Sequence, residues 1–338
     1  MESKRLRWGV LSTARISDAL VRAIKMSSNG EVAAIASRDL GQAQTWAAKH
    51  DAPNVFGSYD EMLASDVIDA VYVPLPNGLH KEWSIKAMQN GKHVLCEKPL
   101  ASNAAEVREM IAASEANSVK LMEAFMYRFH PQIDRMMQLL AEGAVGEIRV
   151  IRAAFGFNLK RPHDVRWSAE LAGGSLMDMG CYCVNATRMI AGGNPLVVSA
   201  GEVLAPTGVD ATLAGVLEFP KDVLATIDCS FRTGTVLQQV LTISGSQGRM
   251  TLPQVFRRDE NPMTIIIDKA ENMDRGGPSE TIEVPGAYHY HVMVEHFADA
   301  VLNNHPVAYT PENSLGNMEV IDALKESART GRKVEPGK

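Results

Sequence analysis

Short apolar segments alternate with longer amphipathic segments through the first third of the chain. The apolar segments have the length and composition of buried strands, and they lie at residues 6–11, 31–37, 70–73, 93–96 and 120–124. The segments between them have the spacing of helices, and they lie at residues 16–26, 40–50, 81–90 and 103–117. Strands that alternate with helices of this length form βαβ units, so the pattern predicts a parallel sheet in an α/β domain.

The pattern changes after residue 127. A long alternating strand is predicted at 148–157, and several strands follow one another between residues 197 and 284 with no helix between them. Consecutive strands of this kind form antiparallel or mixed sheets. We therefore expect two domains, at residues 1–126 and 127–338, the second of α+β type. Its predicted helices lie at residues 131–142, from 175 to about 190, and at 290–303 and 312–329.

Composition and charge exclude several classes of protein. The 338 residues are 46% hydrophobic and 22% charged, as expected of a globular protein with two cores. The net charge of −6 provides no basic surface for nucleic acid, and no apolar run reaches the roughly 18 residues of a membrane span. Residues 1–8 lack the apolar region of a signal peptide, and the four cysteines lie in predicted strands and helices. We expect a cytoplasmic protein that binds neither nucleic acid nor membranes.

The turn after the first strand has the position of a dinucleotide-binding loop. A G-x-G-x-x-G motif would lie here, but Ser12, Ala14 and Ser17 take the places of the three glycines. Small residues still allow a pyrophosphate to approach the backbone N–H groups at the start of the next helix. A tight turn without a ligand explains the same residues, and the βαβ context favours the dinucleotide. The candidate cofactor residues of this turn are Ser12, Thr13, Ala14, Arg15 and Ile16.

The second strand ends in Ser37, Arg38 and Asp39. An acidic residue at this place binds the ribose 2′-hydroxyl of NAD, whereas an arginine accommodates the 2′-phosphate of NADP. Arg38 therefore favours NADP, with NAD the less favoured cofactor, and Arg15 can supply a second positive charge. A solvated charge at a strand end is the alternative interpretation of Arg38. Ser37 and Arg38 join the predicted cofactor site.

A lysine, an aspartate and a tyrosine have positions suited to proton transfer beside a hydride donor. Lys98 follows a predicted strand, at the edge of the sheet where α/β proteins bind ligands. A lysine near Tyr182 would stabilise the phenolate, so that the tyrosine could exchange a proton with a substrate hydroxyl. Asp178 precedes Tyr182 by one helical turn and would bind the substrate or Lys98. The alternative is structural, with a buried tyrosine, a helix N-cap and a surface lysine.

Polar residues at 128–130 and in the loop at 161–166, which precedes Gly173 and Gly174, are candidates for binding substrate hydroxyl groups. A solvated loop explains the residues at 161–166 equally well. These candidates are Arg128, His130, Arg161 and Arg166. His289 and His291 alternate around a tyrosine without a cysteine or carboxylate at ligand spacing, so no metal site is expected.

Several short motifs, in this order along the chain, resemble those of the glucose–fructose oxidoreductase/inositol dehydrogenase (Gfo/Idh/MocA) family. They are P-N-G-L-H at 76–80, V-L-C-E-K-P-L at 94–100, E-A-F-M-Y-R at 123–128, G-G-S-L-M-D at 173–178 and D-x-G-x-Y at 178–182. The resemblance covers nearly the whole chain. Within the family it is greatest to the dimeric dihydrodiol dehydrogenases and the NADP-dependent xylose dehydrogenases.

The resemblance implies that Lys98 and Tyr182 form the catalytic pair, with Asp178 assisting. The inositol dehydrogenase branch has histidine where Tyr182 stands, so the chain is unlike that branch. The resemblance also implies a Rossmann-like parallel sheet in the first domain, a large, open, mostly antiparallel sheet in the second, and a homodimer or homotetramer. It adds four residues to the cofactor site, Pro76, Asn77, His80 and Glu97, beside Lys98 itself.

The sequence predicts an NADP-dependent oxidoreductase that transfers hydride between the nicotinamide and a CH–OH or C=O carbon of a sugar or cyclic polyol. An aldose 1-dehydrogenase or a dihydrodiol dehydrogenase would fit. An enzyme that retains NADP and shuttles hydride between two sugars is one alternative. No segment like the N-terminal arm of glucose–fructose oxidoreductase precedes Arg7, which argues against a cofactor held by such an arm. A non-catalytic, nucleotide-sensing regulator is the other alternative, and it would have no need of the lysine and tyrosine.

Overall fold

The structure is a computed structural model that describes residues 4–234, 238–256, 260–270 and 278–338. The chain divides into two compact units. Unit 1 is formed by Met1–Met126 and Tyr288–Leu315, and unit 2 by Tyr127–Ala287 and Gly316–Lys338. The predicted domains differ from these units in one segment, Tyr288–Leu315, which the sequence pattern assigned to the second domain. That segment belongs to unit 1 because its helix packs against the first helix and the first two strands of the chain.

Unit 1 contains a parallel sheet. Its strands are β1 (Leu6–Leu11), β2 (Gly30–Ala36), β3 (Asn54–Phe56), β4 (Ala70–Val73), β5 (His93–Cys96) and β6 (Leu121–Glu123). Its helices are α1 (Ser17–Met26), α2 (Leu40–His50), α3 (Tyr59–Ala64), α4 (His80–Gln89), α5 (Ala104–Ala116) and, from the distal segment, α8 (His289–Leu302). The six strands have the order β3-β2-β1-β4-β5-β6 and all pair in parallel. This is the strand order of a Rossmann fold, which confirms the predicted α/β domain.

The apolar runs of the sequence are buried because a parallel sheet is covered on both faces. All four residues of β4 are buried, as are Val94, Leu95 and Cys96 of β5. The sequence pattern did not predict β3 or α3. Three half-buried residues and a six-residue helix are too short to show a periodic pattern.

Unit 2 contains a mixed sheet. Its strands are β7 (Ile148–Gly156), β8 (Val197–Leu204), β9 (Asp210–Phe219), β10 (Val223–Ser230), β11 (Gln238–Gly245), β12 (Gly248–Leu252), β13 (Met263–Lys269) and β14 (Glu280–Val284). Its helices are α6 (Pro131–Ala141), α7 (Cys181–Ala191) and most of α9 (Pro311–Thr330). The eight strands have the order β14-β13-β12-β11-β7-β10-β9-β8. Among the described strands of this sheet, only β7 and β10 pair in parallel, which confirms the prediction of a mostly antiparallel sheet.

Burial alternates along the central strands of this sheet. In β10 every second residue from Val223 is buried, while Leu224, Thr226 and Asp228 between them are exposed. Helix α7 packs against β7 and β10 and covers the buried face. Two large apolar side chains, Val216 and Leu224, are exposed on the opposite face. Across the described parts of the chain, no helix combines the length and hydrophobicity needed to cross a membrane.

Candidate active site

The predicted cofactor residues of unit 1 follow the carboxyl ends of four parallel strands. The turn 12–16 follows β1, Ser37 and Arg38 follow β2, the turn 76–80 follows β4, and Glu97 and Lys98 follow β5. The strand order of this sheet reverses between β1 and β4. In open α/β sheets, ligands bind outside the carboxyl ends of the strands at such a reversal, so the fold brings these residues to one edge.

The turn after β1 suits a pyrophosphate. Ser12, in the place of the first glycine, has a φ of 91°, in the left-handed region that glycine favours. Its N–H donates to the carbonyl oxygen of Ala36 at 2.8 Å, and its own carbonyl oxygen accepts the Ser17 hydroxyl at 3.2 Å. Among the hydrogen bonds of the described residues, none from a side chain caps the start of α1. An anion in this turn would therefore meet an uncapped helix N-terminus with its positive dipole end.

The residues after β2 fit a 2′-phosphate better than a 2′-hydroxyl. Asp39 is the N-cap of α2, where its Oδ1 accepts the backbone N–H of Gln42 at 3.0 Å and its Oδ2 accepts the Gln42 side-chain amide at 3.1 Å. The carboxylate of Asp39 thus caps the helix, and its side chain is exposed, as are those of Arg38 and Arg15. Ser37 is buried and its hydroxyl accepts the N–H of Asp39 at 3.2 Å, which holds the turn.

Buried carboxylates hold the backbone on both sides of Lys98. Glu97 Oε1 accepts the hydroxyl hydrogen of the fully buried Tyr72 at 2.6 Å, and Glu97 Oε2 accepts the backbone N–H of Lys98 at 3.3 Å. Burial raises the pKa of Tyr72 well above its usual value, so this phenol stays protonated and is the donor. Glu123 accepts the N–H of Leu100 at 2.9 Å. A buried carboxylate thus accepts a backbone N–H at each end of the segment 98–100. The side chain of Lys98 itself is half-buried.

His80, a predicted cofactor residue, lies between two backbone carbonyl groups. The side chain is fully buried, and its ring nitrogens lie 2.7 Å and 2.8 Å from the carbonyl oxygens of Leu75 and Pro99. Both nitrogens are engaged by the backbone, so His80 connects the loop after β4 to the segment after Lys98. Pro76 and Asn77 of the same loop are half-exposed.

In unit 2, Asp178 and Tyr182 lie on one continuous helical segment. A π-helical turn, Leu176–Gly180, contains Asp178 and runs directly into α7, whose second residue is Tyr182. Such turns are frequent at functional sites. Tyr182 is 3% exposed, and the rings of Tyr127, Phe155 and Phe256 pack around it with centroids 5.7, 5.4 and 5.3 Å away. Aromatic packing on three sides fixes the orientation of the Tyr182 ring.

The glycine of the D-x-G-x-Y motif allows a close approach of this segment to β10. A Cβ on Gly180 would lie 2.7 Å from Cδ1 of Leu176 and 2.9 Å from Sγ of Cys229. Real Cβ atoms essentially never approach other atoms so closely, so a larger residue would require the Leu176 side chain to move and the contact with Cys229 of β10 to shift.

Asp178 is paired with Arg166, a contact that the sequence did not predict. Arg166 Nε donates to Asp178 Oδ2 at 2.7 Å, and Arg166 Nη1 lies 3.1 Å from Asp164 Oδ1. The attraction of Asp178 is the largest effect on the pKa of Arg166 and raises it above its usual value. The sequence predicts that Arg166 binds the substrate and that Asp178 binds the substrate or Lys98. The fold joins the two residues to each other, because the loop before Gly173 folds back on the π-helical turn.

The remaining predicted substrate residues have different positions in unit 2. His130 is buried, and its Nδ1 accepts the backbone N–H of Gln132 at 3.0 Å as the N-cap of α6, so this nitrogen is not available to a substrate. Arg161 is exposed, and its carbonyl oxygen accepts the indole N–H of Trp167 at 3.1 Å. Arg128 is half-buried on a short 3₁₀ turn.

Neither thiol nor metal chemistry is supported by the geometry. All four cysteines are buried and none forms a disulfide bond. Burial raises the pKa of Cys96, Cys183 and Cys229, so these thiols stay protonated. His291 does have a carboxylate one helical turn away, since its Nε2 lies 3.4 Å from Glu295 Oε1. Within the described ranges, however, no three potential ligands come together as a metal site.

A Rossmann sheet whose first turn leads into a helix without a side-chain cap is typical of oxidoreductases that use a nicotinamide cofactor, and a second unit with a mixed sheet carries the acid/base candidate. The comparison with family models agrees. The model of an oxidoreductase family with an NAD-binding Rossmann fold matches residues 6–125, and the model of the GFO/IDH/MocA C-terminal domain matches residues 133–251. The chain belongs to the GFO/IDH/MocA oxidoreductase family, as its motifs predicted.

Relatives of known activity match almost the full length. A D-xylose 1-dehydrogenase (NADP(+)) of Haloferax volcanii is 38% identical over 331 residues, covering 98% of this chain and 99% of the relative. A trans-1,2-dihydrobenzene-1,2-diol dehydrogenase of Xenopus laevis is 34% identical over 327 residues, covering 95% and 96%. A solved 3-ketoreductase from Actinomadura kijaniata, in complex with NADP and TDP-benzene, has a TM-score of 0.89 at 29% identity and covers 96% and 98%. The two branches of the family that the motifs indicated are both among these relatives.

Proposed function

We propose that this chain is an NADP-dependent oxidoreductase that transfers hydride between the nicotinamide and a CH–OH or C=O carbon of a sugar or related cyclic polyol. The observation that carries the proposal is the position of Lys98 at the carboxyl edge of a Rossmann sheet, in a chain whose D-x-G-x-Y tyrosine is packed by three aromatic rings. The xylose and dihydrodiol dehydrogenases among its relatives support the substrate class.

The cofactor residues of unit 1 favour NADP. The turn 12–16 and the start of α1 would hold the pyrophosphate, and the exposed Arg38 would bind the 2′-phosphate, with Arg15 as a second cation. Asp39 accepts two hydrogen bonds from Gln42 as a helix cap, which directs its carboxylate toward α2. When bound, NADP supplies the hydride acceptor or, in its reduced form, the hydride donor.

Tyr182 is assigned as the group that exchanges a proton with the substrate oxygen, and Lys98 as the cation that stabilises its phenolate. Solved variants of the ketoreductase replace one lysine by alanine or glutamate and one tyrosine by phenylalanine. The number of residues between those two positions equals the number between Lys98 and Tyr182. This agreement supports the pair, and Asp178, oriented by Arg166, is assigned to assist it.

We also propose that the protein is a cytoplasmic homodimer that associates through the open face of the mixed sheet. Val216 and Leu224 are exposed there, and β9 and β10 pair so that the two side chains lie on the same face. Exposed apolar side chains grouped on one sheet face are typical of an interface. Four buried cysteines that form no disulfide bond suit a reducing compartment.

A titration and a turnover screen test the proposal. NADPH and NADH are titrated by fluorescence, and D-xylose, other aldoses and cyclic trans-diols are then screened for NADPH production. Tyr182→Phe removes the proposed acid/base group. Tyr127→Phe is the matched control, because it removes a hydroxyl that donates to Asn185 Oδ1 at 2.6 Å in the same aromatic cluster.

We expect tight NADPH binding, turnover of at least one sugar or diol, loss of turnover in Tyr182→Phe and retained turnover in Tyr127→Phe. Tight binding without turnover of any substrate would support the regulator instead. Nucleotide that stays bound through purification, with turnover only when a second sugar is present, would support hydride transfer between sugars. Failure to bind either nucleotide would contradict the cofactor assignment.

A further inference from the structure

A buried carboxylate lies beneath the start of the helical segment that carries Asp178 and Tyr182. Asp210, the first residue of β9, is 7% exposed. Its Oδ2 accepts the hydroxyl hydrogen of Ser175 at 2.6 Å and the backbone N–H of Leu176 at 2.7 Å. The first N–H groups of a helix have no partner within the helix, so they need an acceptor from elsewhere. A residue of the sheet supplies that acceptor here.

The second glycine of the Gly173-Gly174 motif makes room for this contact. Gly174 has a φ of 111°, and a Cβ at this position would lie 2.1 Å from Oδ1 of Asp210. Any side chain would displace the carboxylate from the start of the π-helical turn. The N–H of Asp178 donates to the carbonyl oxygen of Gly174 at 3.1 Å, so the glycine that accommodates Asp210 also begins the helical hydrogen bonds.

Charged groups from two other elements surround Asp210. Lys325 of α9 attracts the carboxylate of Asp210 electrostatically, and Asp210 repels the carboxylate of Glu202 of β8. Burial raises the pKa of Asp210 and lowers that of Lys325, and the attraction between the two opposes both effects. Lys325 Nζ also lies 3.1 Å from Sδ of Met177 in the π-helical turn. The turn is therefore contacted from the sheet by Asp210 and from α9 by Lys325.

We propose that Asp210 is a positioning residue for the reaction, because its carboxylate fixes the first turn of the segment Leu176–Gly180 and thereby the places of Asp178 and Tyr182. This inference rests on the proposed role of Tyr182. Proton transfer requires the acid/base group within hydrogen-bonding distance of the reacting oxygen, and a displacement of about 1 Å costs roughly a hundredfold in rate. A helix that frays at its first turn would release both side chains from the geometry that the sheet imposes.

Three variants separate positioning from a general effect on stability. Asp210→Ala removes the acceptor, and Asp210→Asn keeps an oxygen that can accept both hydrogen bonds. Thr212→Val is the control. Thr212 lies on β9, as Asp210 does, and the change removes its 2.6 Å hydrogen bond to Ser230 of β10 without altering the contacts of Asp210 with the helical segment. For each we would measure the Kd of NADPH, kcat and KM with D-xylose or the diol that is turned over, the pH profile of kcat/KM, and hydrogen exchange of peptides covering residues 175–182.

Asp210→Ala should lower kcat about tenfold or more, shift the pH profile and speed exchange over residues 175–182, with the Kd of NADPH unchanged. Asp210→Asn should restore exchange and most of kcat, and Thr212→Val should resemble the wild type. Wild-type kcat, pH profile and exchange in folded Asp210→Ala would overturn the inference. Should Asp210→Ala not fold, Ser175→Ala, which removes one of the two donors, must show the same changes to a smaller extent, and wild-type behaviour there would overturn it.

The two proposals fail in different ways. A wild-type protein without turnover, or a Tyr182→Phe variant that keeps it, contradicts the proposed function, and hydrogen exchange then still decides whether Asp210 holds the helix start. Loss of turnover in Tyr182→Phe together with unchanged kcat and exchange in Asp210→Ala contradicts only the role of Asp210.

Discussion

The guanidinium of Arg166 donates to the carboxylate of Asp178 over 2.7 Å. The same guanidinium also contacts Asp164, so the arginine lies between two carboxylates at the start of the helical segment that carries Tyr182. An aspartate that the sequence assigned to substrate or lysine thus has its charge balanced within unit 2. Its orientation depends on a loop residue twelve positions earlier in the chain.

We expect Arg166→Leu to lower kcat/KM by about tenfold to a hundredfold, because a charge-assisted hydrogen bond contributes about 1.5–3 kcal/mol. Steady-state kinetics with NADP and the turned-over sugar or diol would measure this loss. Arg249→Leu, which breaks a comparable pair with Asp268 at 2.6 Å between β12 and β13, is the control and should keep wild-type kinetics. Equal kinetic effects in both variants would contradict a specific role for the Arg166–Asp178 pair.

Cofactor preference should depend on Arg38 and not on its neighbour. Arg38→Ala should weaken NADPH binding about tenfold or more and leave NADH binding unchanged, since only NADPH has the phosphate. Asp39→Ala should lower the free energy of unfolding by about 1 kcal/mol through loss of the helix cap, with the preference for NADPH retained. Fluorescence titrations with both nucleotides and urea unfolding measure the two effects. A switch to NADH in Asp39→Ala would contradict the assignment.

Acid stability of unit 1 should depend on the ion pair between Arg7 and Asp69. Burial alone raises the pKa of Asp69, but hydrogen bonds from the Arg7 side chain and backbone outweigh it, so the pKa lies below its usual value. The unfolded chain then takes up the proton first as the pH falls, and the stabilisation is lost through the lowered pKa of the folded state.

Asp69→Asn should therefore lower the free energy of unfolding by about 1 kcal/mol at neutral pH, a value kept small because the pair is partly exposed. The difference from the wild type should shrink below about pH 4, the ordinary pKa range of aspartate, and vanish in stronger acid. Urea unfolding over this pH range is the measurement. A difference that is independent of pH would show that the charge of Asp69 does not contribute.

The proposed dimer should depend on the open face of the mixed sheet. Leu224→Glu places a charge on that face and should raise the dissociation constant of the dimer at least about a hundredfold, since an unpaired charge would be buried in the interface. Light scattering coupled to gel filtration measures the mass. Met26→Glu, an exposed apolar residue of α1, is the control and should leave the mass unchanged. A monomeric wild type, or a dimeric Leu224→Glu, would contradict this interface.

Local sequence patterns were enough for most of the fold. Continuous apolar runs predicted the parallel strands because both faces of such a sheet are covered. Alternation predicted β7, although its last four residues are all buried in the structure. The same patterns missed β3 and α3, which are too short to be periodic. They also left Tyr288–Leu315 in the second domain, since the packing of α8 on α1 involves residues far apart in the chain.

The sequence by itself determined the family, the order of the elements and the edge of the parallel sheet where Lys98 lies, because motifs and periodicity are properties of neighbouring residues. Only the tertiary structure decided the partners of the polar side chains. In the fold, His80 lies between two backbone carbonyl groups, His130 caps the start of α6, and Arg166 donates a hydrogen bond to Asp178. The fold also places Asp210 beneath the helical segment of Tyr182. Each of these contacts depends on the path of the backbone between the two partners, which no local pattern specifies.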